Sequence, residues 1–183
     1  MRSYHSDFGI VLKKRKLLKD NRLVTILSEE SGKIVLTGFG IRSLLSKRLS
    51  HVETGNYIKF SYTKKESYYI LGETELVYGH SKIKSSVSKM NFLYLILIIL
   101  DKIIPEGDPE ALVFDKTLLL LKRLNNKECF TLGEIKTYLT DILIDAGFLD
   151  LSQSRQHNFN SLLFVENLIG EKLKWSDSLS SLY

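Results

Sequence analysis

The sequence has few of the residues that build disulfides, metal centres or membrane anchors. Its one cysteine, Cys129, has no second cysteine to pair with, and its four histidines are scattered without the spacing of zinc ligands. The longest apolar run, Phe92–Leu100, falls far short of the roughly 20 residues that a membrane-spanning helix needs. Residues 1–9 contain no apolar segment typical of a secretory signal. We therefore expect a cytoplasmic protein that holds no metal.

Signatures of enzymatic chemistry are also missing. Gly38-x-Gly40-x-x-Ser43 resembles the start of a dinucleotide-binding fingerprint, but the third glycine and a long helix after it are absent. No Gly-x-Ser-x-Gly motif presents a nucleophilic serine. Glu73 and Glu75 would share one face of a strand, where solvated carboxylates are the ordinary case. We expect no catalytic residues, no cofactor and no enzymatic activity.

Positive charge is concentrated in the first half of the chain. Residues 1–89 carry 17 lysines and arginines against 8 acidic residues, a net charge of +9. Residues 90–183 carry 9 against 13, a net charge of −4. This asymmetry indicates two units, the first suited to a polyanion.

Five short segments of the basic half predict β-strands. They are residues 8–12, 23–27, 33–37, 57–62 and 68–76, with a hairpin turn at Glu29-Glu30-Ser31-Gly32. A longer irregular connection separates the third strand from the fourth. This pattern is typical of a small Greek-key barrel, of which the OB-fold is the best known. An SH3-like barrel is the near alternative, because periodicity alone does not separate the two.

Helical periodicity begins at Ser85. It predicts helices over residues 87–103, 110–124, 131–146 and 159–169, with a polar connection over 150–160. In the second helix, the residues expected to face the core are Leu112, Val113, Leu119 and Leu120. The predicted fold class is therefore α+β, with a five-stranded OB-fold barrel over residues 1–80 and a helical domain over residues 85–183.

Basic residues and tyrosines occur together around the predicted loops of the barrel. Cations can follow a phosphate backbone, and an aromatic ring that stacks on a base contributes about 1–3 kcal/mol. We expect half of the four nearby tyrosines, Tyr57, Tyr62, Tyr68 and Tyr69, to be exposed. The candidate phosphate-binding residues are Arg15, Lys16, Lys33, Arg42, Lys47, Arg48, Lys64 and Lys65.

Several segments, taken in their order and spacing, resemble the RecO family of bacterial recombination and DNA-repair proteins. The barrel segments that carry the resemblance are Gly9-Ile10-Val11-Leu12, Leu23-Val24-Thr25-Ile26-Leu27, Glu30-x-Gly32-Lys33, Gly38-x-Gly40-x-Arg42, Ser46-Lys47-Arg48 and Leu71-x-Glu73-x-Glu75-Leu76. Those of the helical half are Tyr94-Leu95, Asp101-Lys102, Pro105-Glu106-Gly107, Leu143-x-x-x-Gly147-Phe148-x-x-Leu151 and Gly170-x-x-Leu173-Lys174-Trp175.

The resemblance implies an OB domain on a helical domain and a role without catalysis. It implies binding of single- and double-stranded DNA and annealing of complementary strands. Its implied partners are RecR, with which the family helps to load RecA, and the acidic, apolar C-terminal tail of single-stranded DNA-binding protein. The basic residues named above would contact DNA. The tail needs an apolar groove with cations at its rim, for which we expect Lys116, Lys122 and Arg123.

One departure from the family pattern lies after Leu151. Many members carry a four-cysteine zinc site there, whereas residues 152–157 of this chain bridge directly to the last predicted helix. We expect a short family member without a zinc module, in which contacts made near that module, RecR's among them, would change. The competing function classes are an RNA-binding or ribosome-associated barrel protein and a protein–protein adaptor.

Overall fold

The computed structural model describes residues 4–18, 21–41, 48–127 and 129–173. Its strands are β1 (Tyr4–Lys16), β2 (Arg22–Ser28), β3 (Gly32–Gly38), β4 (Tyr57–Lys64) and β5 (Tyr69–Tyr78). Its helices are α1 (Arg48–His51), α2 (Ser81–Lys84), α3 (Val87–Ile103), α4 (Ala111–Asn126), α5 (Leu132–Asp145), α6 (Leu151–Ser154) and α7 (Ser161–Ile169). The predicted α+β class, strands followed by helices, is confirmed.

The five strands form a closed barrel in the order β1-β2-β3-β5-β4. Strands β1, β2 and β3 pair antiparallel in sequence, and β4 then pairs with both β1 and β5. A short parallel pairing of β3 with β5, through Leu36–Tyr69 and Thr37–Ile70, completes the ring. Apolar side chains from all five strands fill the interior, among them Val11, Ile26 and Phe60.

Strand β1 is longer than the sequence pattern predicts, because its hydrogen bonding continues where its apolar residues end. Its first half pairs with β4, from Tyr4–Thr63 to Ile10–Tyr57. Its second half pairs with β2 up to Lys16–Arg22, after a bulge between Val11 and Lys13. One strand thus serves two neighbours, and its basic end belongs to the sheet rather than to a loop.

The four long helices occur where periodicity predicts them, and their caps follow the sequence. Thr131 and Glu134 form the predicted capping box at the start of α5. Gly170 ends α7 in the left-handed conformation, with φ of 69°. The four-residue helices α1, α2 and α6 are too short to show a period, and α6 lies inside the segment predicted as a connection. None of the described helices has the length and hydropathy to span a membrane.

The helices pack on the outside of the barrel through a shared apolar core. Ile10, Leu12 and Leu27 point away from the barrel interior and join the buried residues of α3, α4 and α5. Tyr57 is partly buried against the same core. The division into domains at residues 1–80 and 85–183 stays a prediction, since this core joins the two parts.

Asp101, near the end of α3, accepts hydrogen bonds from lysines on two strands of the barrel. Its carboxylate accepts a hydrogen bond from Lys13 Nζ on β1, and its backbone oxygen accepts one from Lys33 Nζ on β3 at 2.6 Å. The carbonyl oxygen of Lys33 in turn accepts from the Gly107 amide at 2.9 Å. Gly32, with φ of 68°, packs so closely that a Cβ would lie 2.3 Å from the Asp108 oxygen. The β2–β3 hairpin is therefore held against the segment that follows α3.

His80 lies where β5 turns into α2, in an unusual position for a titratable side chain. It has a left-handed backbone, with φ of 47°, and is 2% exposed. Neither ring nitrogen has a hydrogen-bond partner among the described residues, and the ring meets that of Tyr78 edge-on at 4.7 Å. Burial, together with the charges of Lys84 and Lys122, lowers the pKa of His80 to about 4. His80 is therefore neutral in the folded protein.

The Asp101→Asn substitution tests how much the contact between α3 and the barrel contributes to stability. We expect it to lower the free energy of unfolding by about 1–2 kcal/mol, because Lys13 loses its charged partner in a half-buried site. The Asp101 side chain is 15% exposed, whereas Glu171 of the comparable pair with Lys102 is 66% exposed. Glu171→Gln is the control and should cost less than about 0.5 kcal/mol in urea unfolding. Equal losses in the two variants would contradict a special role for Asp101.

The pH dependence of stability tests the environment of His80. As the pH falls below 6.5, the unfolded chain binds a proton at His80 and the folded chain does not until about pH 4. The free energy of unfolding should therefore decrease over this window, by about 2 kcal/mol more in the native protein than in a His80→Asn variant. Asparagine tolerates the left-handed backbone and does not titrate. Parallel pH profiles of the two proteins would show that His80 is not kept neutral.

Candidate nucleic-acid interface and helical groove

A row of paired residues connects the two basic hairpin regions across the outside of the barrel. Arg15 pairs with Leu23, Leu23 with Thr37, Thr37 with Ile70, and Ile70 with Thr63, which precedes Lys64. Four strand spacings of about 4.8 Å place the ends of this row about 19 Å apart along the surface. We call this row the barrel face. Its three middle residues, Leu23, Thr37 and Ile70, are half-buried, so a partly exposed surface lies between the two cationic ends.

Four of the predicted phosphate-binding residues flank the barrel face. Arg15 and Lys16 are exposed at the end of β1, and Lys64 is exposed at the end of β4. Lys65 is half-buried in the β4–β5 hairpin, where its amide donates to the Tyr68 carbonyl at 2.8 Å. None of the four belongs to an ion pair among the described residues, so their charge is available to an anion.

Two of the four tyrosines lie at the β4–β5 end of the barrel face. Tyr68 is 46% exposed, and Tyr69 is half-buried with Lys64 Nζ 5.9 Å from its ring centroid. Tyr62 is buried inside the barrel and meets Tyr69 edge-on at 5.6 Å. Tyr57 packs toward α4, 6.2 Å from the ring of Phe114. Of the four tyrosines, only Tyr68 is exposed, which is fewer than the expected half, and Tyr69 lies beside it as a half-buried second ring.

Gly40, which follows β3, contacts Asn21, the residue before β2. The Gly40 amide donates to the side-chain oxygen of Asn21 at 3.2 Å, and Gly40 has a positive φ of 62°. A Cβ on Gly38 would lie 2.0 Å from Ile41 Cδ1, so the close packing of this turn requires glycine. Arg42 and Lys47, predicted to contact phosphate here, lie outside the described residues.

Arg48 and Lys33 are placed differently from the other candidates. The Arg48 guanidinium donates to the carbonyl oxygens of Phe39 at 2.9 Å and Gly72 at 3.4 Å, which ties α1 to β3 and β5. Lys33 is 9% exposed, and its ammonium group is directed to the Asp101 carbonyl. A phosphate would have to displace α3 to reach it. We therefore leave Lys33 out of the candidate interface and treat Arg48 as a residue that positions the loop.

Helices α4 and α5 enclose a groove of about 490 Å³ on the other half of the chain. Apolar and aromatic side chains form much of its lining, among them Leu119, Leu120, Phe130 and Tyr138. Two of the three predicted partner-binding cations, Lys116 and Arg123, lie at its edge, and Glu134 and Asp141 line the α5 side. We call this the α4–α5 groove. Lys122, predicted with them, does not line it and lies instead near His80.

Helix α4 exposes two apolar residues that the periodicity assigns to the core, and one of them, Leu119, lines the groove. Leu112 and Leu119 were predicted to face inward and are 61% and 57% exposed. Val113 and Leu120 are buried as predicted, and the buried stripe of α4 continues through Thr117 and Leu124. A second stripe, spaced by three and four residues through Lys116 and Arg123, is the signal that could have identified this face from sequence.

The groove floor is fixed by one buried hydrogen bond. The hydroxyl groups of Thr117 and Tyr138 lie 2.6 Å apart, and Thr117 also donates to the Val113 carbonyl at 2.6 Å. Complete burial raises the pKa of Tyr138, so this hydroxyl stays neutral. In the described parts of the chain, no three His, Cys, Asp or Glu side chains are grouped in a way that could hold a metal ion.

Comparison with known proteins identifies relatives of the barrel. Residues 1–80 match a family model described as recombination protein O, N terminal. A DNA repair protein RecO from Shouchella clausii (strain KSM-K16) is 25% identical over 117 residues, which are 64% of this chain. The matched region is 46% of that relative, so the similarity spans about half of its length. The resemblance found in the sequence is thereby confirmed.

Proposed function

We propose, on the basis of the match of its first 80 residues, that the chain is a member of the RecO family and that it is a DNA-binding mediator of recombinational repair and not an enzyme. The observation that carries the proposal is the barrel face, with exposed cations at both ends and Tyr68 and Tyr69 at one of them. We assign the barrel to the OB type. Two features support this assignment: the five strands form a closed barrel, and the longest connection between consecutive strands joins β3 to β4. OB-folds bind oligonucleotides on strands 2 and 3 and on the β1–β2 and β4–β5 loops.

The barrel face would bind DNA mainly through its phosphates. Arg15 and Lys16 at one end and Lys64 and Lys65 at the other would neutralise the backbone of a strand that crosses β2, β3 and β5. Arg42 and Lys47 are proposed contacts from the adjoining loop. Tyr68 and Tyr69 would stack with bases without sequence preference. Because two phosphate backbones repel each other, neutralising one strand would favour annealing with its complement in the repair of gaps and double-strand breaks.

The α4–α5 groove would receive the C-terminal tail of single-stranded DNA-binding protein. Its apolar lining suits the apolar residues of such a tail, and Lys116 and Arg123 suit its carboxylates. Lys116 Nζ lies 2.5 Å from the Asp145 carboxylate and is thus partly neutralised, whereas Arg123 is exposed. Arg123 would therefore be the principal contact for the tail. With DNA on the barrel and the tail in the groove, the protein would act with RecR to load RecA on coated strands.

The salt dependence of DNA binding tests the barrel face. We expect an Arg15→Gln/Lys64→Gln variant to bind a labelled single strand more weakly and to reduce the slope of log K against log salt by about 1.4, or 0.7 for each lost contact. An Arg42→Ala/Lys47→Ala variant should reduce it by a similar amount. Fluorescence anisotropy at several salt concentrations measures both.

A charge-matched variant and an RNA competitor complete this experiment. Arg155→Gln/Lys172→Gln removes two exposed cations from the helical half and should leave the slope unchanged. An unchanged slope in the barrel variants would place the site elsewhere. No DNA binding at low salt, or a strong preference for RNA of the same sequence, would contradict the repair function itself.

Binding of the tail tests the groove separately. We expect Arg123→Ala to weaken binding of a labelled peptide from the end of single-stranded DNA-binding protein by about tenfold, since a charged contact is worth about 1.5–3 kcal/mol. Lys122→Ala removes a neighbouring charge that does not line the groove and should change the affinity by less than about twofold. Isothermal titration calorimetry measures both variants, and equal losses would show that the groove is not the binding site.

A further inference from the structure

Lysines from three elements lie near one another where the barrel meets the helices. They are Lys14 on β1, Lys82 and Lys84 on α2, and Lys122 on α4, and we call them the junction stripe. Consecutive strand residues point to opposite faces, so Lys14 is turned away from the barrel face that Arg15 flanks. Strand β1 thus provides cations to two surfaces that adjoin at its end.

Glu53 connects the barrel end of the stripe to α2. Lys84 Nζ donates to the Glu53 carboxylate at 2.7 Å and to the Asn56 side-chain oxygen at 2.9 Å. The hydrogen bond from Lys84 lowers the pKa of Glu53, and the charge of Lys14 lowers it further. Lys14 and Lys84 therefore lie near the same carboxylate, on either side of the boundary between barrel and helices.

Asn125 connects α2 to the end of α4. Its side-chain oxygen accepts from the amides of Lys82 at 3.1 Å and Ile83 at 3.3 Å. Lys122 lies one turn before Asn125 on α4 and is near Lys82 for this reason. The charges of Lys84 and Lys122 both act on His80, which is buried between these elements. The stripe thus continues from β1 through α2 to α4.

Part of the stripe is free to bind an anion. Lys82 and Lys122 are exposed, and neither forms an ion pair with a described carboxylate. Lys14 is also exposed, whereas Lys84 is held by Glu53. Lys14 projects from a strand end and Lys82 from a short helix, whereas Lys122 borders a hollow of about 500 Å³ that it shares with Leu119 and Arg123. Cations that are spread over three elements suit a chain of phosphates, whose charges repeat along its length.

We propose that the junction stripe is a second nucleic-acid contact, over which a single strand continues from the barrel onto the helical half. The proposal rests on the DNA binding proposed above, and it extends the length of single strand that the protein contacts beyond what the barrel alone would contact. A short oligonucleotide would fill the barrel face, and a longer one would also reach Lys82 and Lys122. The stripe would therefore contribute only to the binding of longer strands.

A Lys82→Gln/Lys122→Gln variant tests the stripe with two labelled oligonucleotides. One has about 8 nucleotides, within the range of a single OB-fold, and the other about 30. We expect unchanged affinity for the short strand. For the long strand we expect a salt slope smaller by about 1.4 and, at 0.1 M salt, binding weaker by roughly tenfold or more. Both substitutions are at exposed positions, and thermal unfolding checks that the variant is folded.

The Arg155→Gln/Lys172→Gln variant, which loses the same charge elsewhere, should bind both strands like the native protein. If the lysine variant binds the long strand with an unchanged salt slope, the junction stripe does not contact DNA, and the proposed site on the barrel is unaffected by this result. Equal losses of affinity for the long strand in both variants would reflect net charge alone and would contradict a contact at the junction stripe. The same holds if the lysine variant binds DNA normally and loses binding of the tail peptide. Failure of the native protein to bind either strand would overturn the DNA-binding function together with the stripe.

Discussion

The contacts of Lys13 and Lys33 with Asp101, together with the apolar core that joins the helices to the barrel, determine which surfaces of this protein are exposed. Lys13 and Lys33 reach Asp101 from different strands, one to its carboxylate and one to its carbonyl oxygen. Moving α3 away would leave charges in a partly buried site without their partners, so these contacts favour one position of α3. In that position the helices cover one side of the barrel, and the row from Arg15 to Thr63 stays open.

The cations of the chain therefore divide into two groups with different roles. Some are engaged within the protein, such as Lys13 at the junction, Lys84 with Glu53 and Lys127 with Glu134. Others, such as Arg15 and Lys122, project into solvent without a described carboxylate as partner. Net charge alone does not separate the groups. The capacity to bind a polyanion belongs to the second group, whose positions follow from how the first group fixes the fold.

Local chemistry in the sequence was sufficient for much of the fold. Alternating and apolar segments identified the five strands, and the Thr131–Glu134 spacing identified a helix start, because both signals act within a few residues. What the sequence did not predict depends on distant partners. Lys33 reads as an exposed strand lysine until α3 is placed beside it. Leu119 reads as a core residue until α5 is seen to leave that face uncovered, and the four-residue helices are too short for a period.

Annealing of complementary single strands is the most direct test of the central claim that this chain mediates recombinational repair. The rate can be followed by energy transfer between labelled strands, bare or coated with single-stranded DNA-binding protein that has or lacks its C-terminal tail. We predict faster annealing of bare strands when the protein is added, and faster annealing of coated strands only when the tail is present. An annealing rate of bare strands that the protein does not change would contradict it.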